Sequence, residues 1–157
     1  MRKIKQNSII FVILYGLIFY SLNFILSINN IVFMNWIYYF SNGIIILGSI
    51  IGIYQLILKI KNKIKKNVFI IIMTIFSSIV ICMYIYISLI SYTPEYIIIK
   101  DGKKMVADVE GFHHTYIYYY EYINILVRKK STVDIEHYSS GSHNPFKTDI
   151  NYIELLK

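Results

Sequence analysis

Three stretches of this sequence carry no charge and are long enough to cross a bilayer. They are SIIFVILYGLIFYSLNFIL (8–26), YFSNGIIILGSIIGIYQLIL (39–58) and VFIIIMTIFSSIVICMYIYISLI (68–90). A hydrocarbon core takes about 20 apolar residues in a helix. Lipid offers backbone groups no partner, so an apolar run in it must be helical or part of a closed barrel. The three runs are therefore expected to be transmembrane helices. The first follows the basic start MRKIK, as a signal peptide would. No A-x-A-like cleavage site follows it, since Ala107 is the only alanine, and the run reads as an uncleaved anchor.

Charge placement sets the expected topology. Arg2, Lys3 and Lys5 precede the first run, and KIKNKIKK joins the second to the third. All nine acids lie after Pro94. Basic residues mark cytoplasmic connections, so the N-terminus is expected inside and the C-terminus outside. The charge-free connection SINNIVFMNWIYYF, with Trp36, Tyr38 and Tyr39, suits the outer aromatic belt. The net charge of +7 arises from lysines flanking apolar runs. That placement speaks for lipid rather than nucleic acid as the partner. KIKNKIKK reads first as a topology signal with snorkelling side chains; a grip on anionic lipid is the second reading.

Within the runs there is no ionisable group of the kind that marks proton or ion paths. Asn23 and Gln55 read as interhelical hydrogen-bonding residues. Gly48 and Gly52 form G-x-x-x-G, a helix-packing motif. It serves either a helix of the same chain or a second copy in a homodimer. Cys82, the single cysteine, excludes an internal disulfide and reads as a small packing residue.

Beyond Pro94 the apolar pattern becomes alternating, the signature of strands. EYIIIK, then Asp101-Gly102, then KKMVADVE reads as a hairpin, because Asp-Gly tolerates the positive φ of a two-residue turn. Met105, Ala107 and Val109 share one face; Lys104, Asp108, Glu110 and Val106 share the other. TYIYYYEY is rich in residues that fit a pleated sheet. It sets Tyr116, Tyr118, Tyr120 and Tyr122 against Thr115, Ile117, Tyr119 and Glu121. Residues 115–129 read as one long strand or as a hairpin turning at 121–124. RKKS reads as a turn, TVDIEHY as a strand, SSGSHNPF as a loop, and 148–156 as a helix or strand. A fourth span would bury Glu121, with Arg128 and Lys129 close behind, so this tail is expected in water. The fold class is thus three transmembrane helices (1–92) followed by a small extracytoplasmic antiparallel β-sheet domain (93–157). A tail so small, without disulfides, is marginal on its own.

TPEYIIIKDGKKMVADVEGF, YYYEYINILVR and SGSHNPF resemble a pattern in uncharacterised small membrane proteins of Gram-positive bacteria. The likeness covers roughly the last third of the chain. The pattern departs at Asp108, where a tyrosine is expected, and at His143-Asn144, where an aromatic residue and Asp are expected. The resemblance implies a β-rich tail and no catalytic residue, and the family has no assigned activity.

His113, His114, His137 and His143 match no metal-ligand spacing, so no metal or cofactor is expected. The tail serines lack a G-x-S-x-G context. Asp108/Glu110 and Asp134/Glu136 read as i, i+2 pairs that keep a strand face soluble. The tyrosine stripe is the best candidate interaction surface, because tyrosine gives large amphipathic contact area at low entropic cost. Packing of the stripe against headgroups or the sheet's own core is the plainer reading. The expected role is a non-enzymatic interaction or accessory protein of the cell membrane. Immunity against a membrane-active toxin, or an extracytoplasmic enzyme, stand as alternatives.

Overall fold

In the computed structural model, the residues described are 7–111, 115–138 and 146. The three apolar runs form helices α1 (Asn7–Ile28), α2 (Asn35–Ile57) and α3 (Lys63–Ser91). By length and composition all three are able to cross a membrane. At 1.5 Å per residue α1 spans about 33 Å, close to the hydrocarbon thickness. The side chains along the helices are largely apolar and exposed, Phe11, Leu17, Phe24, Ile71 and Phe76 among them. Cys82 is exposed too, not packed between helices.

The chain forms two units. The first holds α3, α2 from Trp36 onward and most of α1. Its polar groups are paired helix to helix: Gln55 donates to Ser8 Oγ at 2.9 Å, Tyr15 to Ser41 Oγ at 3.1 Å, and Tyr38 to Asn23 Oδ1 at 2.5 Å. These pairs run α2 antiparallel to α1. Gly48 and Gly52 sit on the α2 face that meets α1 of the same chain. A Cβ on Gly52 would stand 2.5 Å from Ile9 Cγ1, and one on Gly48 would overlap Val12 Cγ2. α3 is tied to α2 by the Tyr54–Thr74 hydroxyl pair at 2.8 Å and by the Tyr84 hydroxyl, which donates to the Tyr39 carbonyl. Asn62 caps α3, its side chain accepting from the Lys65 N–H.

The second unit takes Leu26–Asn35 together with the chain from Thr93 onward. It is built on a five-stranded antiparallel sheet of order β1-β5-β4-β3-β2. Its strands are β1 (Ile31–Phe33), β2 (Glu95–Lys100), β3 (Lys103–Gly111), β4 (Thr115–Tyr122) and β5 (Val127–Tyr138). The Asp101-Gly102 turn has positive φ at both residues, 52° and 72°, as the sequence predicts. Residues 115–129 resolve into a hairpin. Asn124 makes its turn, with Oδ1 accepting from the N–H groups of Leu126 and Val127. The expected turn at RKKS is instead part of β5, which runs unbroken for 12 residues with register shifts against β4. The bulges absorb the polar run that made it look like a turn.

The span-connecting segment also carries β1, which pairs with Val127–Lys129 of β5. Asn30, at φ 57°, turns the chain out of α1 into this strand. One face of the sheet is closed by Met105, Ala107, Val109, Ile117 and Tyr119, with Tyr96, Ile98 and Phe146 against them. At the rim of this face Lys100 of β2 reaches Asp134 and Glu136 of β5 at 2.6 and 2.7 Å. Such a reach requires the sheet to curl.

Candidate functional site: an aromatic sheet face and a buried charge cluster

β4 alternates as its sequence dictates. Thr115, Ile117 and Tyr119 are buried, while Tyr116, Tyr118, Tyr120 and Tyr122 lie on the opposite face. The four tyrosines are not equally free. Tyr116 is 39% exposed and stacks on Tyr118 at 6.3 Å and on His137 at 4.6 Å. Arg128 lies over the Tyr120 ring, 3.6 Å from its centroid, and Lys104 over Tyr122 at 4.4 Å. A cation above a ring is held by the ring's quadrupole. The face is therefore an aromatic row with an open end at Tyr116 and cations over its other end.

Beside this row lies a feature the sequence reading missed. Asp108 is not a solvent-facing acid; it is buried with Glu95 and Arg128, their side chains 5%, 3% and 8% exposed. Arg128 Nε donates to Glu95 Oε1 at 2.7 Å, and Nη2 to Asp108 Oδ2 at 3.3 Å. Asn35 donates its backbone N–H to Glu95 Oε2 at 2.6 Å. Its side-chain amide donates to Asp108 Oδ2 at 3.2 Å and to Thr93 Oγ1 at 2.8 Å. Glu95 thus satisfies the first N–H of α2, one of the donors a helix leaves open.

Burial pushes both carboxyls above their ordinary range. For Glu95 the Asn35 N–H and Arg128 pull the other way and the Asp108 charge adds to the rise. For Asp108 the Thr93 hydroxyl, Arg128 and the Asn35 amide oppose burial. Glu110 is raised by burial and by the Asp108 charge.

The second acid pair is also engaged. Burial works to raise the Glu136 carboxyl, but hydrogen bonds from Lys100, Tyr119 and Tyr138 hold it below its usual value. Asp134 is lowered by Lys100 and by the Ile135 N–H. Lys100 also sits 3.7 Å above the Tyr119 ring.

The signal for the buried cluster was faint but present. Alternation puts Glu95 and Asp108 on the tyrosine face, and Arg128 is the only cation of the tail that delivers a forked donor. Of the four histidines only His137 falls among the described residues, and there it stacks on Tyr116. Among the described residues no group of three His, Cys, Asp or Glu side chains is arranged to hold a metal ion. The loop at 139–145 and the segment 148–156 lie outside the described residues. No family model, curated protein or solved structure matches this chain.

Proposed function

We propose that the chain is an integral membrane interaction or accessory protein that presents the tyrosine face of its β unit to a partner on the extracytoplasmic side. The observation that carries this reading is the β4 row, with Tyr116 open to solvent at one end while the other sheet face is closed by the unit's own core. A core-packing role would bury Tyr116 as it buries Tyr119. Rings with exposed edges and hydroxyls suit a partner that offers both apolar surface and hydrogen-bonding groups. The reading rests on a multi-pass location in the cell membrane with the N-terminus cytoplasmic and the C-terminus extracytoplasmic, as the placement of the basic residues implies.

The test is a photo-crosslinking amino acid at position 116 or 118 in intact cells, with position 121 on the opposite face as control. Discrete adducts from 116 and 118 but not from 121 support the reading. Equal labelling from both faces, or none from either, refutes it.

A further inference from the structure

We propose that Glu95 and Asp108 together form a proton-binding site, holding one proton between them at neutral pH beside Arg128. The register of the sheet is the first reason. Glu95 and Asp108 are direct partners across the β2–β3 pair. Their side chains leave the same face side by side, roughly 5 Å apart at Cβ, where like charges repel. The second reason is the count of charges. One guanidinium serves both carboxylates, so a fully ionised cluster carries a net negative charge in a site shut off from water. Such a charge is costly, and a group so placed takes up a proton instead.

The third reason is a single atom. Asp108 Oδ1 is buried and, among the described residues, accepts no hydrogen bond. The other three carboxylate oxygens are satisfied by Arg128 and Asn35. The Thr93 hydroxyl favours the ionised form of Asp108, but no donor completes the shell of that oxygen; protonating the pair removes the excess charge and keeps the other contacts.

Titratable groups on the same face come from β3, β4 and β5. β3 contributes Glu110, whose charge adds to the repulsion. β4 contributes Tyr116, Tyr118 and Tyr120, and β5 contributes Arg128 and, stacked on Tyr116, His137. Lys104 shares the face but is placed over Tyr122. Asn35 and Thr93 carry no charge. Burial raises both the Glu95 and the Asp108 carboxyl, the direction that proton uptake requires.

The proton belongs to the pair rather than to one residue, because removing either carboxyl leaves a simple one-to-one ion pair with Arg128. That gives an unusual signature for infrared difference spectroscopy on the full chain in lipid nanodiscs. The wild type should show a protonated-carboxyl C=O band at neutral pH that disappears as the pH is raised. Asp108→Asn and Glu95→Gln should each abolish it, and Glu110→Gln should retain it. Absence of the band in the wild type at neutral pH overturns the proposal without reference to any variant. So does its survival in either Asp108→Asn or Glu95→Gln, or its loss in Glu110→Gln. The inference stands apart from the reading of the tyrosine face, and the crosslinking experiment does not bear on it.

Discussion

Replacing Arg128 with Met is the sharpest probe of how the β unit is held together. Met keeps much of the length and still covers Tyr120 with a polarisable chain. What it removes is the charge. Glu95 loses its 2.7 Å donor and Asp108 its 3.3 Å donor, and two buried acids are left with Asn35 and, for Asp108, the Thr93 hydroxyl. Breaking a buried ion pair by removing one partner costs about 3–5 kcal/mol. At 1.4 kcal/mol per factor of ten, hydrogen exchange of the β2, β3 and β5 amides should quicken by roughly a hundredfold to a few thousandfold. The β2–β3 amides near Glu95 and Asp108 should respond most. Protonating both acids removes the unpaired charges, so acidification should recover much of the loss. Adding Glu95→Gln and Asp108→Asn to Arg128→Met should do the same at neutral pH. An exchange change below about tenfold, or one that acid does not reduce, would falsify the view that the cluster is desolvated and charge-coupled.

Further outcomes follow from the same structure. In the wild type, acidification from neutral pH should slow β-unit exchange. Carboxyls raised in the folded state give stability that is full below their unfolded values, 4.5 for Glu95 and 3.8 for Asp108, and is lost as pH rises through the folded values; exchange corrected for intrinsic rates that is flat with pH would contradict this. Gly52→Val should destabilise α1–α2 packing by about 1–3 kcal/mol, read as a lower melting temperature in detergent, because its Cβ meets Ile9; an unchanged melting temperature would remove that contact from the account. Lys100→Met should lower stability only slightly, since its partners Asp134 and Glu136 are both reached by water; a large loss in denaturant titration would show the rim to be drier than described. In a Cys82→Ser background, Ile125→Cys, on an exposed turn, should react with an impermeant thiol reagent in intact cells; labelling only after lysis would reverse the proposed topology.

The helices were legible because lipid-facing segments must be apolar all round, and three charge-free runs admit little else. β2, β3 and β4 were legible because one face of each is buried, which writes a period of two into the sequence. β1 was not. Ile31–Phe33 is too short to show alternation, and it sits inside a charge-free connection where apolar residues already had an explanation in the aromatic belt. In the sequence β5 looks broken because a bulged strand loses its period at the bulge, and Lys129-Lys130-Ser131 then resembles a polar turn. Asp108 looks solvent-facing in the sequence for a different reason. Alternation says which face a residue is on but not whether that face is covered. The covering group, Arg128, lies 20 positions away and reaches over Tyr120. The tyrosine row itself was readable residue by residue; its pairing with His137, Lys104 and Arg128 depended on strand register.

The position of β1 changes how the chain must fold. Because β1 precedes α2 and β2 follows α3, the α2–α3 hairpin is an insertion within the β unit, not a segment completed before it. The ends of that insertion are Asn35 and Thr93, and they are hydrogen-bonded to each other at 2.8 Å. Both ends are then fastened to the charged cluster, Asn35 through Glu95 and Asp108. Closing so long an excursion has an entropic cost that grows only slowly with its length. Pairing of α2 with α3 brings the two ends near each other. The cluster then closes a junction where four chain segments meet: the start of α2, the start of β2, the middle of β3 and the start of β5. A purely apolar junction of the same volume would be no less stable, but it would not discriminate one strand register from its neighbours. Slipping β2 by one residue against β3 would turn Glu95 to the core face and set Tyr96 before Arg128. The ionic cluster makes that register expensive, so its contribution lies in selecting the observed sheet over the slipped one.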